Sequence, residues 1–462
     1  MLLLIILKEI RNNILTLRFA VIYGLLFLVT VLSMAILSAN YRTQQENYAQ
    51  AKQRQHEIFS SMENLDDLRH QGAMVQKAPS EMTPFSMGLE KEMSRSLTVS
   101  GRRGIEVGAG QYTNPVSALF STPDLSYIVN VVISLLALLL TFDTICGEKE
   151  NGTLRLMLAN SVPRHTILVG KWLGGYLALA VPFLLAVGVG LLVSLLVTGS
   201  TPAPDSWMRA GGLVMLSLLY ISVFFTLGVL ISTFNRRSST ALMASLFVWV
   251  VIVVTIPNVV PILARQIVGI PSSGVMSERR EAVENEQWRN IRKQMRAAST
   301  DSQRRQIRDQ TKENVSGELE QIQNDYRGKI DAQIELAEVL SRVSPSASFV
   351  YAATNLSGTG VKDFRNLSDY AEKSYGSQFR SVVDEFRRGE RRRSSRGQQR
   401  KVEDTIGTTA FDVGRLPEFR PPTESFERSL QRSMLDVGLL GIFNIAFVLV
   451  GYIKFMRYDV CE

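Results

Sequence analysis

Apolar residues in this chain are gathered into a few long runs, and charged residues fill the stretches between them. A helix needs about 20 apolar residues to cross a hydrocarbon core of about 30 Å, and six of the runs are long enough. The pattern therefore predicts a mainly α-helical protein built on a bundle of six transmembrane helices. The predicted spans are residues 19–39, 125–145, 167–197, 211–233, 240–263 and 435–455.

The N-terminal residues 1–18 precede the first span and are amphipathic. Apolar side chains recur at helical spacing opposite basic ones, with Leu3, Leu7, Ile10, Ile14 and Leu17 on one face and Lys8, Arg11 and Arg18 on the other. This pattern is typical of a helix that lies in the membrane interface. A cleavable signal peptide is less favoured, because the run from Phe19 is long enough to span a bilayer and no Ala-x-Ala-like site is positioned well after it.

Lysine and arginine in the short loops orient the bundle, because basic short loops belong on the cytoplasmic side. These residues are Lys149, Arg155, Arg164, Lys171, Arg236, Arg237, Lys454 and Arg457. The bias assigns both termini, the loop 146–166 and the tail 456–462 to the cytoplasm. The turn Thr198–Met208 has no lysine or arginine and is assigned to the outside. We therefore expect a multi-pass protein of a bacterial inner (cytoplasmic) membrane.

Two long hydrophilic segments, 40–124 and 264–434, are then extracytoplasmic insertions, since long segments cross a membrane largely regardless of their charge. In the second insertion, Met276–Ala298 and Ser302–Val343 are predicted to form a long helical hairpin that ends before Pro345. The longer helix carries a narrow apolar stripe of the kind that seals two helices together. The stripe consists of Val315, Leu319, Ile322, Tyr326, Ile330 and Ile334.

Two local features of the second insertion lead to further predictions. Thr300 and Gln303 match a capping box at the start of the longer helix. The arginine-rich stretch Gly389–Lys401 is interpreted as a solvated loop, with an anionic lipid or polymer partner as the alternative.

The net charge of +8 fits either a nucleic-acid-binding protein or a membrane protein with basic edges. The sequence has no zinc-finger spacing, recognition-helix pattern or basic motif interleaved with aromatic residues, so nucleic acid is not an expected partner. Cys146 and Cys461 cannot make a disulfide framework, and both are expected to be reduced on the cytoplasmic side.

The sequence lacks the motifs that would make this chain an enzyme by itself. A phosphate-binding loop needs Gly-x-x-x-x-Gly-Lys-Ser/Thr, but Trp172 and Ile330 follow the two Gly-Lys pairs. His56, His70 and His165 have no cysteine or carboxylate partners at metal-ligand spacing, and the Gly-x-Ser-x-Gly elbow is absent. We therefore predict no catalytic, cofactor-binding or metal site in this chain.

An ordered set of residues stands out between the second and third spans. It consists of Gly147, Glu148, Lys149, Glu150, Asn151, Gly152, Thr153, Leu154 and Arg155, then Leu158, Pro163, Arg164, Ile167, Leu168, Gly170 and Lys171. The set resembles the type 2 ABC (ATP-binding-cassette) permease family, whose members carry an acidic pair, Gly-Thr-Leu, a proline with an arginine, and Gly-Lys leading into the third span. The match covers the six spans and this loop. The two insertions resemble those of the subgroup with large periplasmic insertions.

The resemblance implies a function that the residues alone do not give. The loop 146–166 would be a coupling element that docks into a groove on a separate ABC ATPase subunit, which binds ATP and Mg. The chain would be a permease subunit that pairs with a second copy or a paralogue in the lipid bilayer. It would serve export or transmit force to a periplasmic partner protein. The implied coupling residues are Glu148, Glu150, Gly152, Thr153, Leu154, Arg155, Pro163 and Arg164.

The residue types in the loop suit such a role. Gly152 lets the chain turn at the membrane end, and Thr153 can cap the next helix. A short helix from Leu154 to Asn160 would present a mixed apolar and basic face.

Other interpretations stay open at this point. Glu148, Glu150 and Arg155 could serve only to anchor the span at the interface. The chain could also be a membrane receptor or scaffold with an extracytoplasmic coiled coil and no ATPase. An ion channel is disfavoured, because no span has a regular polar or charged pore face.

Overall fold

The computed structural model describes residues 2–61, 73–91, 96–100, 104–107, 123–159, 163–199, 201–298, 300–382, 384–385, 388 and 417–457. The chain divides into two compact units, which are Met1–Trp249 together with Ser348–Glu462, and Val250–Ala347. The arginine-rich stretch Gly389–Lys401 and Cys461 lie outside the described residues.

The fold is mainly α-helical, as the sequence predicts. The helices are α1 (Leu2–Ile14), α2 (Leu17–Ser61), α3 (Leu125–Tyr127, π-helical Ile128–Ile133 and Ser134–Thr141), α4 (Cys146–Glu150), α5 (Thr153–Ala159), α6 (Arg164–Thr198), α7 (Pro204–Phe234), α8 (Ser238–Trp249, π-helical Val250–Thr255 and Ile256–Ile267), α9 (Ser273–Ala297), α10 (Asp301–Ser341), α11 (Pro345–Ser357), α12 (Val361–Asp369, then π-helical Tyr370–Tyr375) and α13 (Phe426–Met456). The first insertion adds a small antiparallel sheet that the sequence analysis does not predict. Its strands, β1 (Ala73–Gln76), β2 (Ser96–Ser100) and β3 (Gly104–Val107), pair in that order.

The prediction of six membrane spans is confirmed. Six helical stretches of the described chain are long and apolar enough to cross a membrane, namely Phe19–Ile58, Leu125–Glu150, Arg164–Thr198, Pro204–Phe234, Ser238–Ile267 and Phe426–Met456. Three helices extend well beyond the predicted apolar ranges. Helix α2 ends at Ser61, α7 begins at Pro204 and α13 begins at Phe426. Hydropathy marks only the part of a helix that lies in hydrocarbon, whereas glutamine, glutamate, alanine and lysine continue a helix well in water.

The N-terminal helix α1 is shorter than predicted and packs against α6. It ends at Ile14 rather than at residue 18, and α2 begins at Leu17. A Cβ atom added to Gly170 would lie 2.8 Å from Cγ2 of Ile5, and one added to Gly174 would lie 2.8 Å from Cβ of Glu9. Two glycines four positions apart thus let the two helices approach closely, as small residues do between membrane helices.

We expect Gly174→Ala to destabilise this contact by about 1–3 kcal/mol, the usual cost of overpacking a close interface. The added methyl group would also approach the backbone carbonyl of Ile6 to 3.0 Å, and a backbone atom cannot rotate away. Gly188→Ala in the same helix is the matched control, because nothing lies within 4 Å of its added Cβ. Thermal unfolding of the detergent-solubilised chain measures both variants. An equal melting temperature for the two would contradict the close packing of α1 on α6.

Helix α7 forms the centre of the first unit and contacts α3, α6 and α13. The side chains of Tyr220, Phe224 and Phe225 are completely or almost completely buried along it. We call the end of this unit that carries the loop 146–166 the loop end, and the opposite end the insertion end.

Buried polar groups join the helices at the insertion end. Arg209 of α7 is only 7% exposed. Its guanidinium group donates to the Asp205 carboxylate at 2.6 Å, the Leu356 carbonyl at 2.8 Å, the Ser429 hydroxyl at 3.2 Å and the Glu424 carbonyl at 2.5 Å. These partners belong to α7, α11, α13 and the segment before α13. One side chain therefore ties the end of the second insertion to two membrane helices.

The first insertion is also fastened at the insertion end. Glu81 accepts hydrogen bonds from the Ala203 amide at 3.0 Å and the Ser206 hydroxyl at 2.6 Å, at the start of α7. Asp124 caps α3 through the Tyr127 amide and also accepts from the Met87 amide. Both insertions therefore begin or end on the same end of the bundle.

The second unit contains the predicted helical hairpin. Helix α10 packs against α9 and also against the last helical segment of α8. The predicted stripe on α10 is half-buried at all six of its positions. Thr300 is the N-cap residue of α10, but its side chain makes no capping hydrogen bond. The predicted capping bond from the Thr300 side chain is therefore not formed, although Thr300 marks the correct start of the helix.

Candidate functional site

The loop 146–166 contains the short helices α4 and α5 and lies at the loop end of the first unit. The elements around it are α1, the start of α6, the α7–α8 turn and the end of α13. The loop is therefore embedded among other elements rather than extended from one helix. Residues 160–162 of the loop lie outside the described residues.

A buried lysine connects the loop to the N-terminal helix. Nζ of Lys171 lies 2.9 Å from Oε1 of Glu9 and 2.7 Å from Oε1 of Glu148. The lysine is 4% exposed, and the two carboxylates are 16% and 19% exposed. A cation this far removed from water is stable only when it is paired. The ion triad therefore fixes α1, α4 and α6 relative to one another.

A second set of polar contacts joins α4 to the α7–α8 turn. The Ser232 hydroxyl accepts from the backbone amides of Ile145 and Cys146, each at 3.0 Å. Nζ of Lys149 donates to the Thr233 carbonyl at 2.5 Å, where a cation suits the free carbonyls at a helix end. The Glu150 carboxylate accepts from the Ser238 amide at 2.9 Å, at the start of α8. Helix α4 is thus held on both sides.

The Gly-Thr-Leu sequence forms the corner between α4 and α5. Gly152 has a φ of 72°, which glycine adopts without the strain that a Cβ atom would cause. Thr153 is the first residue of α5, and its hydroxyl donates to the Glu148 carbonyl at 3.4 Å. Leu154 is 1% exposed and anchors the short helix. Because Leu154 lies in the first turn of α5, where proline is tolerated, Leu154→Pro would not melt this helix as a substitution in a helix interior would.

Pro163 is the N-cap residue of α6, so residues 164–166 of the loop already belong to that helix. The next residue, Arg164, donates from its guanidinium group to the Met456 carbonyl at 2.7 Å. Met456 is the last residue of α13. The end of the loop is therefore tied to the sixth span.

Helix α5 also carries side chains that are exposed to solvent. Thr153, Arg155 and Leu156 of α5 are exposed, and Leu156 is 69% exposed although it is apolar. Arginine is enriched in protein interfaces relative to the rest of the surface. Among the described residues of the loop, the outer face of α5 is one part that is exposed.

Within the described residues, no group of three or more histidine, cysteine, aspartate or glutamate side chains could hold a metal ion. Glu148 and Glu150 are both bonded to other helices and are not brought together as an acid pair.

Comparison with known proteins identifies the chain. Residues 3–460 match the sequence pattern of the ABC-2 family transporter proteins. The chain belongs to this family. As an ABC-2 family member with six apolar helices, it is a multi-pass membrane protein and a transporter permease by family.

Two curated relatives of this ABC-2 family member carry the same name. The chain is 34% identical over 125 residues to the probable ABC transporter permease protein NosY of Pseudomonas aeruginosa, which covers 27% of this chain and 46% of the relative. It is 35% identical over 126 residues to the protein of that name from Stutzerimonas stutzeri, covering 27% of this chain and 45% of the relative. The matched region thus spans less than half the length of each relative.

In this ABC-2 family member, sequence analysis misses part of the frame around the loop. Sequence analysis recognises Lys171 only as a basic residue near the loop and as part of the Gly-Lys pair, and it assigns no role to Glu9. The signal for their pairing is weak, because a lysine among apolar residues at the start of a span is equally typical of an interface position. Ser232 and Ser238 give no signal, since their roles depend on contacts far along the chain.

Proposed function

We propose that this chain is the permease subunit of an ABC transporter, and that its loop 146–166 receives the motion of a separate ATPase subunit that binds ATP and Mg. Family membership supports the first part of the proposal. The observation that supports the second part is the exposure of Arg155 and Leu156 on α5, beside a loop whose Glu148, Glu150 and Arg164 are bonded to other helices. Transmission of force needs an exposed contact surface, here on α5, that is held in place by bonds to the membrane helices.

The residues of the loop divide into two roles under this proposal. Glu148, Glu150, Leu154 and Arg164 hold the loop on the bundle through the contacts described above. Arg155 and Leu156 contact the ATPase. The interface-anchoring interpretation therefore applies to the two acids, whereas coupling applies to the outer face of α5.

The proposal includes an orientation in the membrane. The loop end faces the cytoplasm of a bacterial cell, with both termini on that side of the inner membrane, because the short basic loops gather at this end. The two insertions then lie in the periplasm. The working unit is a dimer of two permease copies, or of this chain and a paralogue.

The large second insertion favours a periplasmic partner protein or a large cargo. The longer helix of the hairpin has 41 residues, and a helix of this length offers a large surface for contact with a partner. We propose that ATP-driven movement serves export or force transmission to such a partner. A receptor or scaffold function without an ATPase is the second candidate, and it gives no role to the outer face of α5.

The test compares single charge substitutions on opposite sides of the membrane. Arg155→Glu and Leu156→Glu should each reduce ATPase binding by about tenfold or more, as substitutions at the centre of an interface do. Arg292→Glu in α9 is the matched control for Arg155→Glu, because it makes the same charge change on an exposed residue of the second insertion. The readouts are the membrane-inserted amount, the ATPase that copurifies, and ATP turnover with and without it.

Normal insertion together with loss of the bound ATPase in both α5 variants, but not in Arg292→Glu, is the expected result. Full ATPase binding and turnover in both α5 variants would overturn the coupling assignment. ATP turnover by the purified chain without any copurifying subunit would overturn the assignment of the ATPase to a separate chain.

A further inference from the structure

The helical hairpin of α9 and α10 has an uneven distribution of charge along its length. Residues 288–312, which we call the hairpin tip, contain the end of α9 and the start of α10 and carry eight basic and two acidic residues. The remaining parts of the two helices, 273–287 and 313–341, carry four basic and eleven acidic residues. The hairpin tip is therefore strongly positive, whereas the rest of the hairpin is negative.

Contacts within the second unit place the hairpin tip far from the fifth span. The Gln333 side chain of α10 donates to the carbonyl of Val268, the C-cap residue of α8, at 3.1 Å. Beyond this point α9 and α10 run antiparallel, and Gln287 donates to the Glu318 carboxylate at 3.1 Å. Gln333 lies 32 positions after Asp301, the first residue of α10. At 1.5 Å per residue, α10 therefore extends about 48 Å from the end of the fifth span to the hairpin tip.

The basic side chains of the hairpin tip face the solvent. Arg289, Lys293 and Arg296 of α9 are exposed, and no carboxylate in the described part of the chain forms an ion pair with them. Arg304 of α10 pairs with Asp301 at 3.9 Å, and both of these side chains are exposed. Like charges that lie close together repel one another, so an anionic partner would stabilise this arrangement.

An exposed tryptophan lies among these charges. Trp288 is 59% exposed, although its ring is one of the largest apolar groups that a side chain offers. Tryptophan and arginine are enriched among the residues that dominate the binding energy of protein interfaces. At the end of two paired helices, an exposed ring can enter a pocket on a partner. The hairpin tip thus combines an apolar anchor with surrounding positive charge.

Two other partners fit the hairpin tip less well. The surface of the chain's own membrane lies about 48 Å away along α10, whereas charges at physiological ionic strength are screened over about 8 Å. A second copy in the same membrane would bring one hairpin tip beside another, and their like charges would repel. A soluble anionic partner meets neither obstacle.

We infer that the hairpin tip is the docking surface for a soluble periplasmic protein, whose acidic side chains pair with the exposed basic residues and whose apolar pocket receives Trp288. The inference rests on the proposed function, because it describes the periplasmic partner of that proposal. The acidic part of the hairpin adds specificity, since it repels the same acidic surface and so restricts docking to the hairpin tip.

The first test replaces the unidentified protein by polymers of defined chemistry. The full chain, in nanodiscs of phosphatidylcholine, is titrated with a fluorescent random copolymer of glutamate and tyrosine, and separately with poly-L-glutamate of the same length. We expect the copolymer to bind about threefold or more tightly, because its rings can pack against Trp288. Trp288→Ala should remove this preference, whereas Trp288→Phe should retain part of it.

Charge reversal locates the bound copolymer on the hairpin. Arg289→Glu combined with Arg296→Glu should weaken copolymer binding by about tenfold or more, because two exposed charges change sign. The milder pair Arg289→Gln and Arg296→Gln should weaken it severalfold. Glu320→Arg combined with Glu335→Arg is the matched control, since it reverses two exposed charges in the acidic part of α10. The control should bind the copolymer at least as tightly as the parent chain.

Each alternative partner gives a distinct result. Equal copolymer affinity in the arginine variants and the parent chain would overturn docking at the hairpin tip. Tighter binding of alginate, an anionic polysaccharide, or of phosphatidylglycerol vesicles than of the copolymer would overturn the choice of a protein. Association of the nanodiscs with one another that depends on the same arginines would identify a second copy of this chain instead.

The second test looks for the partner itself in cells. The photoreactive residue p-benzoylphenylalanine replaces Trp288, and in the control it replaces Glu320. We expect a cross-link to a second protein from position 288 and not from position 320. That protein, once purified, should bind the parent chain and bind the variant Arg289→Glu with Arg296→Glu about tenfold more weakly. The absence of a cross-link at position 288, or equal binding of the two chains, would refute the inference.

These readouts involve no ATPase, so they separate the inference from the coupling proposal. A chain that binds its ATPase but neither the copolymer nor a cross-linked protein would overturn the docking surface alone. A chain that binds the copolymer at the hairpin tip but no ATPase would overturn the coupling proposal alone.

Discussion

Replacing Lys171 by methionine should destabilise the protein by about 3 kcal/mol or more, since removing one partner of a buried ion pair leaves the remaining charge uncompensated. Here two carboxylates, those of Glu9 and Glu148, would lose their common cation. Helix α1 should detach from α6 in part. The measurement is the thermal unfolding of the purified chain, together with protease cleavage between α1 and α2.

The matched control removes all three charges at once. The triple variant Lys171→Met, Glu9→Gln and Glu148→Gln keeps the approximate volume of each side chain without any unpaired charge, and should recover much of the lost stability. A triple variant as unstable as Lys171→Met would show that the packing of the lysine stem, and not the ion triad, fixes α1. An unchanged stability of Lys171→Met itself would contradict the buried pairing.

Arg209→Met at the insertion end should have an effect of similar size, about 3–5 kcal/mol. The guanidinium group donates to four partners, and its loss would leave the Asp205 carboxylate without its cation and the Leu356 and Glu424 carbonyls without this donor. The contact between α11 and the membrane helices should loosen. Hydrogen exchange of α11, measured on the full chain, should rise in the variant.

Arg209→Lys is the matched control for this prediction. Lysine keeps the charge but replaces the planar fork of five donors by a single ammonium group, so it cannot reproduce the directions of four bonds. Arg209→Lys should therefore retain the pairing with Asp205 and still expose α11 to exchange. Equal exchange in Arg209→Lys and the parent protein would show that charge alone holds this end together.

Much of the fold follows from the sequence because long apolar runs and helical periodicity are local signals. The six spans are confirmed, and the hairpin helices Ser273–Ala297 and Asp301–Ser341 begin and end within three residues of their predicted bounds. The extent of α2 to Ser61 is missed, because its second half is polar and hydropathy does not mark it. The β1–β3 sheet is missed because its strands are only four or five residues long.

The sequence predicts where the candidate site lies, but it does not predict which residues its charged side chains pair with. The ordered motif around Gly152 identifies the loop and its family, and Gly152 has the left-handed conformation that suits glycine at a turn. The partners of the two acids depend on distant parts of the chain. Lys171 pairs with Glu9 across 162 positions, and the Glu150 carboxylate caps a helix 88 positions later. No periodicity or spacing reports such contacts.

The length of α10 makes the position of one helix end sensitive to small changes of tilt at the other end. It is one continuous helix of 41 residues, which at 1.5 Å per residue measures about 60 Å. A tilt of about 5° at the Ser341 end therefore displaces the Asp301 end by about 5 Å, roughly one helical turn. Because the helix is long, a small change of its tilt angle near Ser341 produces a displacement of several ångströms near Asp301.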